Sequence, residues 1–481
     1  MVKKSVSMVL CLLLLVGITT GCTTTEEEGS EYYYVDSYIT TTKETENTAS
    51  SGDNASGGST GAGTSAGNAS SGKGSTTNSN VTSNLDSSTV EQETKGRFDV
   101  DLSGTTIKLL VWYTPEDWEQ AIYDEFCAKT GAKIKFIPTG TSSVTQKLTA
   151  LIAAIDAPDA TMMSGSQFPQ FITKNLAQPL TKYIDTQKDT WLAYDIMDMC
   201  KYNGEYYGVT DHFWGDDYFV YYNKKIFNSA TNVKSTPLDL YNAGQWTWDA
   251  FYELAEKLTV KDKNGNVTQW GAKTNFVNCF GLSAGASAIT INNGKVTNTL
   301  NSTEMKNAFT FVKKLYKNNY YTKDQGSWES GNVAMYIYPQ YPVRVDNYSN
   351  WKGVDYDWVP FPTYTQGTSY QPTDIQLGIV PRKAKNPEAG YLLLNWRAYC
   401  QENMKAISNT NQEWIERYKK AVTGKTKCSL EVGILGDDVW TLYGELSDPE
   451  KSLQSTIDSW SSVIDGKIKS YEKEVEDYKF N

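Results

Sequence analysis

From residue 98 onward, the hydrophobic positions follow two different periods in turn. The stretches Thr105–Tyr113, Lys133–Pro138 and Pro158–Met163 are apolar or alternate between apolar and polar residues, which predicts strands. Apolar residues recur at helical spacing over Trp118–Thr130 and Val144–Ile155, between those strands. The order strand, helix, strand, helix, strand predicts an α/β unit with a parallel sheet.

A further change of pattern lies at Phe219–Phe227, which is apolar and aromatic except for a polar stretch at Asn223–Lys225. This pattern predicts a strand that leaves one lobe and enters the next, followed by a helix start or a turn. Trp214, Asp216 and Asp217 come just before the strand. At a junction between two lobes such side chains face the cleft, so we expect a ligand there.

Beyond the junction, the pattern predicts the helices and strands of a second unit. They are a helix over Trp246–Thr259 with Thr247 as its N-cap, a helix over Met305–Tyr320, a strand over Gly331–Tyr341, a return to the first lobe over Trp358–Tyr364, a strand, turn and helix over Leu377–Cys400, and helices from Gln412 with Asp437, Asp438 and Trp440 in a loop between them. The length of 481 residues also favours two lobes over a single core.

The N-terminus has the pattern of an export signal that ends at a cysteine. Two lysines precede a short apolar run from Val9 to Ile18 and then Gly21-Cys22. This run is too short to span a bilayer as a stable helix. We therefore predict a lipoprotein signal peptide over residues 1–21 and lipid modification of Cys22. The alternative is an ordinary secretory signal with an incidental cysteine.

The residues after the signal have the composition of a flexible tether. Residues 49–80 are all Ala, Ser, Gly, Thr or Asn apart from Asp53 and Lys73, a composition that cannot form a core. We expect residues 22–97 to hold a folded domain close to a membrane, since a Gly/Ser-rich chain of about 70 residues spans roughly 45 Å. The predicted location is the extracellular face of the cell membrane.

Charge and composition exclude several classes of function. A net charge of −11 and a pI near 4.9 argue against a nucleic-acid partner, which requires a basic face. The single histidine, His212, argues against metal centres and catalytic sites built on histidine. We therefore expect no metal, no cofactor and no catalytic residues, and we expect the chain to be a monomer.

The cysteines predict free thiols. The five that lie outside the signal and the anchor form no CxxC pair, and an odd number leaves at least one unpaired within a chain. We predict that they are buried and unpaired. They are Cys127, Cys200, Cys279, Cys400 and Cys428.

Several segments, in order along the chain, together resemble the family 1 extracellular solute-binding proteins, the sugar-capturing components of bacterial ABC importers. The segments are PDATMMSGSQFPQF, NLAQPLTKYID, NGEYYGV, YYNKKIF, WTWDAFYELAEKLT, GNVAMYIYPQY and NPEAGYLLLNW. This resemblance covers most of residues 105–469. It implies a two-lobed α/β fold of the periplasmic-binding-protein type (class II), whose lobes close on a carbohydrate, and an ABC permease as partner.

The resemblance also implies lobe boundaries and cleft residues. The first lobe is expected over residues 98–215 and 361–411, and the second over residues 216–360 and 412–481. The ligand-binding residues that the resemblance implies are Tyr113, Glu116, Asp117, Ser166, Gln167, Asp216, Tyr341 and Trp440. Trp214 is a further expected ligand-binding residue, because it lies just before the junction strand. The sugar itself, an oligosaccharide by expectation, is left unspecified.

Three alternatives stay open at this point. Asp117 and Ser166 are equally suited to capping the helices that follow them. A glycosidase requires two carboxyl groups about 5–9.5 Å apart, whereas Asp216 and Asp217, as neighbours on a strand, point to opposite faces; the chain also has no GxSxG, P-loop or HExxH motif. A receptor that presents a bound sugar to a membrane sensor would need the same site as an importer component.

Overall fold

The computed structural model describes residues 87–477 apart from residues 116, 141–142, 214, 324, 346–347 and 404–408. The side chains of residues 87–90, 117–118 and 477 also lie outside the description. The predicted signal peptide, the anchor Cys22 and nearly all of the predicted tether fall outside the described residues, so they stay predictions.

The described residues form an α/β structure. The strands are β1 Thr106–Val111, β2 Lys133–Pro138, β3 Ala160–Ser164, β4 Lys201–Tyr202, β5 Glu205–Tyr206, β6 Gly215–Asn223, β7 Val260–Lys261, β8 Val267–Lys273, β9 Ile289–Asn292, β10 Lys295–Asn298, β11 Tyr321–Thr322, β12 Val333–Pro339, β13 Tyr356–Val359, β14 Gln371–Ile379 and β15 Thr426–Cys428. The helices are α1 Ser87–Thr94, α2 Asp117–Thr130, α3 Val144–Ala153, α4 Phe168–Thr173, α5 Tyr194–Met197, α6 Lys224–Ser229, α7 Pro237–Asn242, α8 Trp248–Leu258, α9 Asn278–Ser283, α10 Thr303–Lys317, α11 Tyr341–Arg344, α12 Pro387–Glu402, α13 Gln412–Val422, α14 Val432–Leu435, α15 Asp438–Ser447 and α16 Leu453–Asp477. Short 3-10 turns lie at Gly165–Gln167, Asp198–Cys200 and Ser349–Trp351.

One sheet runs through the molecule. Its strand order is β11-β8-β12-β6-β14-β3-β1-β2, with β13 beside β6, β15 beside β14 and β7 beside β8. The pairs β1–β2 and β1–β3 are parallel, as the sequence pattern predicts. The strands β6 and β14 are antiparallel to each other and lie in the middle of this order.

Strand β6 changes partners along its length, which makes it the junction strand that the sequence predicts. Residues 215–217 pair with residues 373–375 of β14, whereas residues 218–223 pair with β12 and β13. The strand begins at Gly215, so Asp216 and Asp217 belong to it and do not precede it. It ends at Asn223, whose side chain accepts a hydrogen bond from the Lys225 backbone N–H and starts helix α6.

Alternate residues of these strands belong to different core clusters. Leu109 and Leu110 of β1 lie in two separate clusters, and so do Val220 and Tyr221 of β6. The clusters around β1 and β3 are distinct from those around β6, β8 and β12. Each end of the sheet therefore has its own hydrophobic core on both faces, because side chains alternate between the faces of a strand.

Most predicted elements are confirmed, but, besides the start of β6, two predicted positions are wrong. Thr247 caps α8 as predicted. The return to the first end of the sheet is made by β14 and not by the segment around Trp358, because that tryptophan lies in β13, which still pairs with β6. Asp438 and Trp440 lie in helix α15 and not in a loop. The chain turns earlier, at Gly436 with φ of 63°, so that Asp437 is the N-cap residue of that helix.

The five cysteines of the described residues are unpaired, as predicted. Four of them are buried, and Cys127 is partly exposed. Among the helices of the described residues, none is both long and apolar enough to cross a membrane. The described residues also contain no group of three or more His, Cys, Asp or Glu side chains that could hold a metal ion.

Candidate ligand-binding site

Two carboxyl groups meet where the junction strands pair. Asp216 of β6 is the register partner of Asp374 of β14, so both side chains lie on the same face of the sheet. Gly215 allows this pairing, because a Cβ atom there would lie 2.6 Å from the backbone oxygen of Asp374. The two strands thus place a pair of carboxyl groups side by side at the centre of the sheet.

Helix α11 contributes the next group. The Tyr341 hydroxyl donates a hydrogen bond of 2.5 Å to Asp216 Oδ1. The residue before it, Gln340, is fully buried; its amide donates to the Gly215 carbonyl and its Oε1 accepts from the Tyr418 hydroxyl. These bonds fix the start of α11 against the start of β6, so the position of Tyr341 is set by the fold.

The end of strand β3 closes the other side. Ser164 Oγ donates to Asp374 Oδ1 at 3.3 Å and lies 2.7 Å from Ser166 Oγ. The 3-10 turn that contains Ser166 lies flat against β14, because a Cβ atom at Gly165 would lie only 2.3 Å from the Ile375 side chain. Ser164, Ser166, Asp216, Tyr341 and Asp374 are called the candidate site below.

Burial raises the pKa of each carboxyl group at this place. Burial raises the pKa of Asp216 to about 6, while the Tyr341 hydrogen bond opposes the shift. The pKa of Asp374 rises to about 7 through burial and the neighbouring Asp216 charge. Asp217, on the opposite face of β6, is raised to about 8, and Arg344 opposes the shift at both Asp216 and Asp217. The pair Asp216 and Asp374 therefore offers both ionised and protonated carboxyl groups near neutral pH.

This arrangement suits a neutral ligand rich in hydroxyl groups. An ionised carboxylate accepts hydrogen bonds from hydroxyl groups, a protonated carboxyl donates one, and a serine hydroxyl does either. The Tyr341 ring adds an aromatic surface beside them, on which C–H faces of a ligand can pack. The candidate site therefore offers the groups needed to bind a polyol without a metal ion or an ionic partner on the ligand.

The segment before β6 is held by a separate set of charges. His212 Nε2 forms a hydrogen bond of 3.2 Å with Asp195, and its Nδ1 lies 3.4 Å from Glu402; these two carboxylates raise the pKa of His212 to about 10. The single histidine is therefore a cation that positions the approach to β6. Asp211, next to it, is buried, which raises its pKa to about 7.

The Tyr113 hydroxyl has a structural partner that is not part of the candidate site. Its hydroxyl donates to Glu119 Oε1 at 2.6 Å, and Glu119 forms a buried ion pair of 2.7 Å with Arg397. The ring packs against the core cluster around β1 and contacts Trp112. The structure thus places the Tyr113 hydroxyl in a network that joins α2 to α12, and a role in ligand binding stays a prediction.

Two other predicted residues, Gln167 and Trp440, have different surroundings. Gln167 ends the 3-10 turn that holds Ser166, and its Oε1 accepts from Thr145 of α3. Trp440 lies on α15, partly buried against the core cluster that contains Phe309 and Tyr443. Ser166 is linked to Asp374 through Ser164, and Gln167 follows Ser166 in the turn but binds Thr145. The described contacts of Trp440 are with the core cluster that contains Phe309 and Tyr443.

Ser166 does not cap the helix that follows it. The side chain that accepts a backbone bond here is Ser164, from the Ser166 N–H at 3.2 Å, and Gln167 stands at the N-cap of α4 without a side-chain bond. The capping alternative is therefore wrong for Ser166. Asp117 is the first residue of α2, but its side chain lies outside the description, as do Glu116 and Trp214.

Sequence reasoning missed Asp374. The signal is present in QPTDIQLGI, where an acid stands inside an otherwise buried strand, and a buried acid requires a partner or a function. Its pairing with Asp216 depends on a register between strands more than 150 residues apart, which no local pattern specifies.

The comparisons with known proteins identify the family and the fold. The model of the bacterial extracellular solute-binding protein family matches residues 112–397, which is more than half of the chain. No curated protein matches the chain.

Several solved structures share the fold. The ABC substrate-binding protein Lmo0181 from Listeria monocytogenes, in complex with cycloalternan, has 18% identity and a TM-score of 0.55, with 75% of this chain and 98% of that chain covered. The cyclic alpha-maltosyl-1,6-maltose binding protein from Arthrobacter globiformis has 14% identity and a TM-score of 0.62, with coverage of 76% and 99%. The extracellular solute-binding protein from Staphylococcus aureus, in complex with maltose, has 15% identity and a TM-score of 0.59, with coverage of 76% and 98%. At these identities the likeness shows the fold, which is the two-lobed α/β fold of the periplasmic-binding-protein type.

Proposed function

This chain belongs to the bacterial extracellular solute-binding protein family, and from that premise we propose that it is the substrate-binding lipoprotein of an ABC importer for a carbohydrate, an oligosaccharide by our proposal. The observation that carries the proposal is the pairing of Asp216 with Asp374 on the two junction strands. Strands β6 and β14 are the neighbouring pair that joins the two ends of the described sheet. A ligand bound on them therefore lies between those two ends.

The chemistry of the candidate site supports a sugar. Carboxyl groups and serine hydroxyls bind the hydroxyl groups of a saccharide, and the Tyr341 ring packs on its C–H face. Three solved proteins of the same fold are described with cycloalternan, maltose or mannotriose, which are oligosaccharides, and another is described with the monosaccharide α-D-tagatose. Glu116, Asp117, Trp214 and Trp440 belong to the proposal as further ligand contacts from loops and helices around the junction.

The transport step follows from two lobes that close on the ligand. A sugar that contacts both lobes stabilises the closed state, because the open state lacks part of those contacts. We propose a first lobe over residues 98–215 with the return that begins at β14 and continues to residue 411, and a second lobe over the residues from 216 to the start of β14 with 412–481. Phe361 and Tyr364 pack in the core of the second lobe, so the expected boundary at residue 361 is moved to the start of β14. The closed protein then delivers the sugar to the permease, while Cys22 holds it at the outer face of the cell membrane through the flexible tether.

A ligand screen tests this proposal. The purified protein is heated with single monosaccharides and oligosaccharides, and a ligand that binds the native state raises the melting temperature. We expect α-linked glucose oligosaccharides or mannose oligosaccharides to give the largest increase and to be recovered unchanged after incubation. Cleavage of the oligosaccharide would instead indicate an enzyme, and no increase with any saccharide would contradict sugar binding.

Small-angle scattering tests closure separately. Saturation with the best ligand of the screen should lower the radius of gyration, because the lobes approach each other. A bound ligand with an unchanged radius would leave sugar binding intact and contradict closure.

A further inference from the structure

One cavity of the described residues shares no lining residue with the candidate site. Its volume is about 450 Å³, and it is bordered by the segment after α4, the β4–β5 hairpin and the turn that follows β14. An isolated bridge between Ala177 and Pro381 joins two of these borders. A volume of this size is in the range of small-molecule pockets.

The charge of this cavity has one sign. Arg382 and Lys383 line it, together with the neutral side chains Gln178, Tyr202, Asn203 and Tyr207, and no acidic side chain is among its described lining. This is unusual for a chain with a net charge of −11. Another cavity of similar volume, about 460 Å³, has Arg97 and Lys182 balanced by Asp185 and Glu388.

The cationic side of the cavity is fixed by the fold. The Arg382 guanidinium donates to Asn175 Oδ1, and its backbone N–H donates to the Leu176 carbonyl. The Gln178 amide donates to the Pro381 carbonyl at 3.0 Å and holds the turn from the other side. Lys383, at the exposed rim, has a φ of 63°, a conformation that few residues other than glycine adopt. A preorganised guanidinium loses less entropy when it binds an anion.

Two tyrosines form the opposite wall. Tyr202 and Tyr207 contact each other edge to face, with their ring centroids 6.3 Å apart. Burial raises the pKa of Tyr207, and the nearby Glu205 charge adds to the shift, whereas the Arg382 charge opposes it. The Arg382 guanidinium therefore lies within electrostatic range of that phenol, and Glu205 is the nearby acid outside the lining. Cations on one wall and neutral rings on the other suit a ligand with one anionic group and a C–H surface.

We propose that this cavity binds a small organic anion of about monosaccharide size, with its carboxylate or phosphate group on Arg382 and Lys383 and its body against Tyr207. This site is distinct from the sugar site on the junction strands. It takes a different class of ligand, because the candidate site presents carboxyl groups, which repel anions, whereas this cavity presents cations.

Calorimetric titration of the purified full chain with three probes tests the proposal. The probes are D-glucuronate, D-glucose 6-phosphate and neutral D-glucose, which are similar in size and differ in charge. We expect one or both anions to bind at least about tenfold more tightly than D-glucose, because a charge-assisted contact has roughly this effect on affinity. The anion that binds with the higher affinity shows whether the cavity prefers a carboxylate or a phosphate.

Variants locate the binding. Lys383→Gln and Arg382→Gln should each weaken anion binding by about tenfold or more. Lys385→Gln removes an exposed charge outside the lining and should leave the affinity unchanged. Asp216→Asn, in the sugar site, should also leave anion binding unchanged. Lys383 is exposed, so Lys383→Gln remains decisive if Arg382→Gln fails to fold.

Four results would overturn the proposal. They are equal binding of D-glucose and the anions, no binding of any probe, a loss in Lys385→Gln as large as in Lys383→Gln, and loss of anion binding in Asp216→Asn. The third result would indicate general attraction to surface charge, and the fourth would place the anion in the sugar site.

Discussion

Asp216 and Asp374 lie directly opposite each other on neighbouring antiparallel strands that join the two ends of the sheet. Tyr341 binds the first carboxyl group and Ser164 binds the second. Among the described residues, each carboxyl group therefore has one side-chain hydrogen-bond partner, and a carboxyl group can bind further hydroxyl groups of a ligand. We expect this pair to contribute more to sugar affinity than any other carboxyl groups of the described residues.

Asp216→Asn should weaken sugar binding by about tenfold to a hundredfold, because a lost charge-assisted hydrogen bond costs roughly 1.5–3 kcal/mol. Asp217→Asn is the matched control, since Asp217 is adjacent in sequence but points to the opposite face of β6 and is buried. Calorimetry with the best ligand of the screen measures both. Equal losses in the two variants would contradict the assignment of the ligand to the Asp216 face.

The raised pKa of Asp217 predicts that the stability of the protein depends on pH. Its pKa in the folded protein is about 8, against an ordinary value of 3.8, so between these values the folded state holds a proton that the unfolded state has released. This contribution to stability is complete below about pH 4 and is lost as the pH rises through 8. Asp217→Asn removes this titration. The difference in free energy of unfolding between the variant and the wild type should therefore be more favourable to the variant at pH 8 than at pH 5, by on the order of 1–3 kcal/mol. Denaturant unfolding at both pH values measures this, and a gain that is the same at both would contradict the prediction.

Gly165→Ala should destabilise the protein by about 1–3 kcal/mol, because the added Cβ atom would lie 2.3 Å from the Ile375 side chain and 3.2 Å from its backbone oxygen. The same variant should weaken sugar binding, since it moves Ser166 away from Asp374. Gly444→Ala is the control, because the space around Gly444 is open and alanine favours the helix α15 by about 0.5–1 kcal/mol. A Gly165→Ala protein with wild-type stability and affinity would show that the turn does not depend on this close contact.

Glu119→Gln should lower the free energy of unfolding by about 3–5 kcal/mol, because it removes the carboxylate of a buried ion pair with Arg397. Glu253→Gln, which breaks the exposed pair with Lys257 one turn along α8, should cost about 0.5 kcal/mol or less. Denaturant unfolding of both variants is the measurement. A small loss in Glu119→Gln would mean that Tyr113 and the surrounding core compensate for the missing charge.

Cys22→Ala should give a protein that is released from the membrane and still binds its sugar normally, because the lipid attached to this cysteine is the proposed anchor. Cys11→Ala, a change within the signal peptide, should leave the protein attached to the membrane. Fractionation of cells and mass spectrometry of the intact protein provide the readout. Absence of lipid mass on the wild-type protein would rule out the anchor.

Local pattern alone was enough to predict the junction and most elements around it. The apolar run before Asn223 specifies a strand because side chains on two buried faces must both be apolar, and Asn223 marks its end because its side chain caps the next helix. Thr247 and the proline at the start of α12 mark helix starts for the same local reason. These features depend on interactions within a few residues, so they are present in the sequence itself.

What the sequence could not determine is which distant residues share a site. Asp374 pairs with Asp216 through the register of β14, and Ser164 rather than Ser166 accepts the backbone bond of the turn. The hydrogen bond of Tyr113 to Glu119 and the packing of Trp440 against the core cluster of Phe309 and Tyr443 are likewise absent from the local pattern, and the roles of both residues in ligand binding stay predictions. The sequence by itself determined the elements, the junction and the family, because local periodicity and ordered motifs encode them. Only the tertiary structure decided the partners, because register and packing between strands far apart in the chain leave no local pattern.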